Sequence, residues 1–337
     1  MRRVSIAEIM EETGLSRATV DRVLNGRGRV HERTRRAVEE TIRRMQLPED
    51  HRAALAPKAD IVLRLGRGMM QQVRHAWDIA HPQGTFHDMY GAREADIIEV
   101  VAKACADPSR PLILAAMNGD RLNDVLREAR ARGKRIITLV SDLAADARDA
   151  YVGIDNRAAG QTAAFLVGRM LGDRPTTVGV VVGDAAFRCH EDREIGFRTG
   201  LRAHFPKVVV SGEAHGEDSV ELTEQAMARL LRDQPALSAI YNVGGGNAGI
   251  AKALAESGRA RDVMVIGHEV NGVTAPLLRQ GAMDFCIATN PSLLLAEAFE
   301  QAQMQPVRPV VLLDFAIYTR FSLPFFAPHA EAHRAQV

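Results

Sequence analysis

Hydrophobic residues follow two different rhythms along this chain, and the change between them divides it. Up to residue 45 the apolar positions recur at helical spacing. Ile6, Ile9 and Met10 share one helical face, and Ser5 precedes them as a cap with Glu8 three residues on, in capping-box register. This pattern predicts a helix over 6–13, ended at Gly14, where a left-handed turn costs little. Leu15 fills the angle that follows, and Ser16 caps a second helix over 17–24. Val20, Val23 and Leu24 of that helix point inward, while Arg17, Ala18, Asp21 and Arg22 point outward. A third helix is predicted over 33–45, with Ala37, Val38, Thr41, Ile42 and Met45 at core spacing. Residues 46–59 are polar and hold Pro48 and Pro57, the composition of a linker.

From Asp60 onward, short apolar runs alternate with helical periods. Strands are expected over 61–65, 112–117, 135–140, 177–182, 208–211, 239–243, 264–266 and 285–288. Helices are expected over 94–106, 120–132, 158–171, 193–204, 219–232 and 249–257. Alternation of this kind implies parallel sheets covered on both faces. One sheet would need more strands than usual, so two doubly wound lobes are expected. In such folds ligands bind at the carboxyl ends of the strands.

Composition narrows the picture less than patterning does. The 337 residues are 46% hydrophobic and 25% charged, with a net charge of +1, as in an ordinary globular protein of two or three domains. Charge is uneven, however. Between Ser16 and Arg36 stand seven arginines against Asp21 and Glu32, a local excess suited to phosphate contact. Cys105, Cys189 and Cys286 have no metal-binding or CxxC spacing and read as buried thiols in a reducing compartment. With no membrane-spanning run and no apolar leader at the start, the expected location is the cytoplasm.

Two resemblances follow from particular motifs. Val4-Ser-Ile-Ala-Glu-Ile, Gly14-Leu-Ser and Thr19-Val-Asp-Arg-Val-Leu-Asn25-Gly are together similar to the headpiece of the lactose-repressor (LacI) family of bacterial transcription regulators, without a gap from Ser5 to Gly26. The resemblance implies a helix-turn-helix whose second helix enters the major groove. DNA contacts are then expected from Ser5, Ser16, Arg17, Ala18, Thr19, Asp21, Arg22, Asn25 and Arg29. Relatives in that family place a hinge helix after this segment, with a Leu wedged into the minor groove, and Leu55 is the candidate here. Asp21 departs from the family's usual Ser. The second resemblance covers most of 60–325. Tyr151-Val-Gly-Ile-Asp-Asn-Arg-Ala-Ala-Gly160 and Arg193-Glu-Ile-Gly-Phe197 resemble motifs of the periplasmic sugar-binding-protein fold, which the same regulators use as an effector domain.

The expected organisation is therefore an all-α headpiece (1–46), a linker (47–59) and an α/β effector domain (60–330) of two doubly wound parallel-sheet lobes, type I periplasmic-binding-protein-like. Lobe one takes about 60–155 and 285–305, and lobe two about 156–284 and 306–330. The function implied is a sequence-specific regulator, a repressor and not an enzyme. Its partners would be operator DNA and a small effector bound between the lobes. It would act as a homodimer or tetramer, without a cofactor and without a membrane partner.

Sugar and polyol hydroxyls call for carboxylates, amides and guanidinium. Strand ends and the second resemblance offer Arg67, Ser141, Asp142, Arg193, Asn247, Glu269 and Thr289. Arg193 would open a helix, and Thr289 stands where sugar binders often have Gln. The loop over 66–70 lacks an aromatic residue to stack on a sugar ring, and the basic groups Arg67, Arg193 and His268 would suit an anionic sugar derivative.

A rival pattern is Gly244-Gly-Gly-Asn-Ala-Gly249, a G-x-G-x-x-G that follows a strand, opens a helix and has Glu269 twenty residues on. It would make the chain an NAD-dependent oxidoreductase. Its place several units into the α/β run argues against that, as does the lack of any matched catalytic set.

Overall fold

Runs of β-branched and aliphatic residues buried on both faces organise the chain around two six-stranded sheets, each the centre of its own compact unit. The computed structural model describes residues 4–26, 30–46, 57–80, 82–172, 174–184 and 186–323.

The first unit holds the chain up to Gly153. Helices α1 (Ile6–Thr13), α2 (Arg17–Leu24) and α3 (Glu32–Gln46) close over Ile9, Val20 and Val38, as the helical periodicity implies. Ser5 and Glu8 form the reciprocal capping box, and Gly14 takes a φ of 65° at the end of α1. Then come β1 (Asp60–Leu63), α4 (Arg67–Ala80), β2 (Phe86–Asp88), α5 (Glu94–Ala104), β3 (Leu112–Ala115), α6 (Asp120–Ala131), β4 (Ile136–Leu139) and β5 (Ala150–Gly153). Every residue of β1, β3, β4 and β5 is buried, which explains their apolar character apart from Asp60 and Thr138. Residues 66–70, expected from sequence to form a loop, mostly belong to α4. That helix buries Met69, Met70, Val73 and Trp77 on one face.

At Ile154 the chain enters the second unit. It contains α7 (Asn156–Leu171), β6 (Thr176–Val182), α8 (Arg188–His204), β7 (Val208–His215), α9 (Val220–Asp233), β8 (Leu237–Asn242), α10 (Asn247–Glu256), β9 (Met264–His268), α11 (Thr274–Gln280) and β10 (Phe285–Ala288). The chain returns to the first unit for α12 (Pro291–Gln303) and β11 (Val310–Leu312), and ends its described course in β12 (Ala316–Tyr318) of the second. Strand order is β11-β5-β4-β3-β1-β2 in the first sheet and β12-β10-β9-β8-β6-β7 in the second. β12 runs antiparallel to β10.

Two expectations about organisation are corrected. The strand over 285–288 is expected in the first lobe, but it pairs with β9 through Phe285↔Ile266 and lies in the second sheet. The chain re-enters the first unit at Asn290 and leaves it after Val311, so the expected boundaries at 285 and 306 fall several residues early. Helix α8 also begins at Arg188, so Arg193 lies in its second turn and does not open the helix.

Within the second unit, α7 and α8 approach at backbone contact. A Cβ on Gly160 would lie 2.0 Å from the carbonyl oxygen of Arg193, and one on Gly196 would lie 2.2 Å from that of Arg157. Glycine at both positions is what lets α8 lie against α7 and carry Arg193 to the end of the sheet.

Candidate functional site

The carboxyl ends of β8 and β9 carry a cluster of buried polar residues. Arg193 reaches them from α8 with only 3% of its surface exposed. Its Nε–H donates to Oδ1 of Asn156 (2.9 Å), the first residue of α7. Nη1–H donates to the carbonyl of Val243 (2.9 Å), just past β8, and Nη2–H to Oε1 of Glu269 (3.3 Å). The last contact is longer than the roughly 2.7–2.9 Å of a tight charge-assisted bond. Arg193 and Glu269 are therefore a buried but loosely closed pair.

Glu269 follows β9 directly and adopts a φ of 63°, a left-handed conformation unusual for a residue with a long side chain. Its backbone is held there from two sides. Its N–H donates to the carbonyl of Ile287, and its own carbonyl accepts from the Thr274 hydroxyl (2.6 Å). Strain of this kind costs about 1–3 kcal/mol and gathers at functional positions. Oε2 of the same carboxylate is buried without a hydrogen-bond partner. Burial raises the carboxyl pKa above its ordinary value, with Arg193 pulling the other way.

Below this pair, Tyr241 and His268 stand side by side on β8 and β9, with Tyr241 Oη 2.7 Å from His268 Nε2. Burial, reinforced by the positive charge of Arg193 and His190, holds His268 neutral, well below the ordinary histidine range. Counting it among basic groups that attract an anion is thus corrected, because desolvation removes its charge.

The glycine loop after β8 is occupied by the chain itself. Asp218 Oδ1 accepts the Gly245 N–H at 2.6 Å, and the Asp218 carboxylate and the His190 ring lie where a Cβ on Gly244 would be. A carboxylate in that place repels a pyrophosphate and takes the N–H that would bind one. The dinucleotide reading fails on this geometry. Asn247, the first residue of α10, receives Asn242 Nδ2–H on its Oδ1 (2.8 Å), which ties the loop to the end of the strand.

Of the residues expected from sequence at the effector site, the structure brings Arg193 and Glu269 into contact and sets Asn247 at the neighbouring strand end. Thr289 is buried with its hydroxyl donating to the carbonyl of Asp314 (2.8 Å), a tie between chain segments. The other three belong to the first unit. Ser141 is fully buried. Arg67 is exposed with its guanidinium 4.9 Å from the centre of the Tyr90 ring. Both oxygens of Asp142 are engaged by the Arg148 guanidinium (2.6 and 2.7 Å), and Oδ1 also receives Thr138 Oγ1–H and Leu143 N–H. Arg148 in turn donates to the carbonyl of Pro309. Asp142 is spent on fastening this corner of the first sheet.

Sequence reasoning missed Asn156, Asn242, Tyr241 and the pairing of His268 with Tyr241. Asn156 had a legible signal, an Asp155-Asn156 pair at the junction between a strand and a helix. Tyr241 and His268 come together only when β8 and β9 pair, and Asn242 is tied locally to Gly245 and Asn247.

The residues expected to meet DNA serve local structure to a large extent. Ser5 and Ser16 cap α1 and α2, Thr19 bonds Ser16, and Asn25 donates to the carbonyl and carboxylate of Asp21. Arg17, Ala18 and Arg22 are exposed on α2. Arg29 and Leu55 lie outside the described residues. Nor is α1 independent of the rest of its unit, for Asn290, the cap of α12, donates to the carbonyl of Thr13 at 3.0 Å.

Comparison with known proteins bears on the same question. Residues 92–305 match the periplasmic binding protein domain. No curated protein matches the chain. Among solved structures, a glucose-galactose binding protein, GanP, from Geobacillus stearothermophilus is 17% identical, with a TM-score of 0.72 over 80% of this chain and 99% of that one. An ABC-transporter solute-binding protein from Agrobacterium vitis with bound D-fucose is 19% identical, at a TM-score of 0.70 over 77% and 94%. Another from Burkholderia graminis in complex with D-arabinose is 20% identical, at 0.68 over 78% and 96%. At such identities the likeness is one of fold.

These matches overturn the expectation of a repressor. The regulator resemblance rests on Ser5–Gly26 alone, whereas the match to a periplasmic binding protein domain spans more than half the chain, and the solved neighbours are a glucose-galactose binding protein and ABC-transporter solute-binding proteins. Transcription regulation, operator DNA as a partner and the cytoplasm as location are withdrawn together. What the matched span and the two parallel sheets show is that the chain belongs to the periplasmic binding protein domain family.

Proposed function

We propose that this protein binds a small sugar at the carboxyl end of its second sheet, through Arg193, Glu269 and the amide of Asn156. The observation that carries the reading is the state of Glu269. It is a largely buried carboxylate in a strained backbone conformation, with one oxygen loosely held by Arg193 at 3.3 Å and the other without a partner. A purely structural ion pair would be expected to close tightly and satisfy both oxygens. A sugar hydroxyl both donates and accepts, so it completes a site made of an acceptor oxygen beside a guanidinium donor. The solved neighbours with D-fucose and D-arabinose bound support the choice of ligand class.

Isothermal titration of the full chain with D-glucose, D-galactose, D-fucose and D-arabinose, with leucine as a non-sugar control, tests the proposal. Saturable one-to-one binding of at least one sugar is expected, weakened at least tenfold by Glu269→Ala. Heat from none of the sugars, or equal binding by the variant, would remove the reading.

A further inference from the structure

The buried pair Tyr241–His268 carries a second consequence, which rests on the sugar-binding reading above. His268 is 2% exposed and Tyr241 fully buried. Their side chains meet at 2.7 Å through His268 Nε2, and His268 Nδ1 is buried with no partner. A neutral imidazole bears one proton, so two arrangements are possible. If Nε2 carried it, the ring would donate to Tyr241. The phenol proton would then be buried facing no acceptor, and the Nδ1 lone pair would be buried facing no donor. If Nδ1 carries it, Tyr241 donates to Nε2 and a single orphan remains, an Nδ1–H donor. Leaving fewer buried groups unpaired favours the second arrangement. Tyr241 therefore selects the tautomer of His268, as a second partner does for a metal-bound histidine.

Adjacent in sequence, at the end of the same strand, Glu269 Oε2 is the complementary orphan, an acceptor. Two unpaired groups of opposite kind on consecutive residues, at the strand end where this fold receives ligands, are not accounted for by core packing. We infer that His268 is a sugar-contacting, specificity-determining residue, whose Nδ1–H donates to one hydroxyl oxygen of the sugar whose hydroxyl proton Glu269 Oε2 accepts. The carboxylate also favours a neutral hydroxyl over an anionic group at that point, since Arg193 is already matched by Glu269.

The experiment crosses side-chain variants with sugar analogues on the full-length protein. D-galactose, its 2-, 3- and 4-deoxy analogues and D-fucose are titrated into wild type, His268→Phe and Tyr241→Phe. His268→Phe is expected to weaken D-galactose at least tenfold while losing little further affinity for one deoxy analogue. Tyr241→Phe, which releases the tautomer without touching the sugar, is expected to weaken binding several-fold. Imidazole 15N spectra of the unliganded wild type should show protonated Nδ1, a readout independent of whether His268→Phe folds. Binding of every sugar by His268→Phe within twofold of wild type, or protonation at Nε2, overturns the inference while sugar binding stands. If wild type binds none of these sugars, both the reading and the inference fall.

Discussion

Replacing Arg193 by methionine is the perturbation with the most to say about the second unit. Methionine retains much of the arginine stem but removes three donors at once. Asn156 Oδ1, the Val243 carbonyl and Glu269 Oε1 then lose partners now at 2.9, 2.9 and 3.3 Å. The arginine and glutamate side chains are only 4% and 15% exposed, so water replaces these bonds poorly. Removing one member of a buried ion pair costs about 3–5 kcal/mol, mostly because the other charge stays buried and unmatched. Against a total stability of about 5–15 kcal/mol that is a large fraction. The uncompensated carboxylate is the main term, so a second change, Glu269→Gln, should return about 2 kcal/mol of it. Urea unfolding of wild type, the single variant and the double variant, followed by circular dichroism at pH 7, measures both quantities. A loss below about 1 kcal/mol for Arg193→Met, or a double variant no more stable than the single one, would refute the reading of this pair as buried and coupled.

Glu269→Gln also carries a pH signature. Burial raises the Glu269 carboxyl pKa in the folded protein above the ordinary 4.5, so below that value both states are protonated and the residue contributes nothing to the pH dependence. Above it the unfolded chain ionises first, and stability is lost as pH rises through the folded value. The stability of Glu269→Gln relative to wild type should therefore grow from about pH 4.5 upward, close to where an unperturbed glutamate titrates, and thermal melts of the two proteins across pH will show whether it does. Gly160→Ala places a methyl group 2.0 Å from the Arg193 carbonyl oxygen and should cost about 1–3 kcal/mol by forcing α7 from α8. The same shift moves Arg193, so sugar affinity in titration should fall with the melting temperature. A variant as stable as wild type would show that the helices are not held at backbone contact. Asp142→Ala leaves the Arg148 side chain, 7% exposed, without its carboxylate, and should lower urea stability by about 3 kcal/mol. An unchanged unfolding midpoint would mean that the pair is not what fastens that corner.

Much of the architecture could be read without coordinates, because burial on both faces writes itself into sequence as unbroken aliphatic runs. Strands β3, β4 and β6 and helices α6 and α7 fall close to their expected places. The short edge elements were missed for the same reason in reverse. β2 (Phe-His-Asp) and β12 (Ala-Ile-Tyr) are only partly buried, so three residues of mixed character leave no periodic trace. Helix α8 starts earlier than its pattern suggested because Arg188–Asp192 supplies few apolar residues, and tertiary packing of Cys189 and His190 decides the boundary. The short amino-terminal resemblance misled about function. It describes local helix geometry well, but a motif of some two dozen residues says little about the task of the domain that follows.

The division between what sequence determined and what folding decided runs through the site itself. Arg193 and Glu269 were each legible singly, Arg193 through its Arg-x-x-Gly-Phe motif and Glu269 as a carboxylate at the end of an expected strand. That they meet, 76 positions apart, depends on β9 pairing with β8 and on α8 lying flush against α7. Asp142 looked equivalent to Glu269 in sequence, and only its neighbour Arg148 shows that its oxygens are already engaged. Tyr241 carries no signal along the chain and His268 reads there only as a basic group, since a tautomer is chosen by a partner across the sheet. Patterning specifies which residues are buried because transfer from water is a property of each side chain. Pairing of donors, acceptors and charges is a property of distances between residues remote in sequence, and those distances exist only in the folded chain.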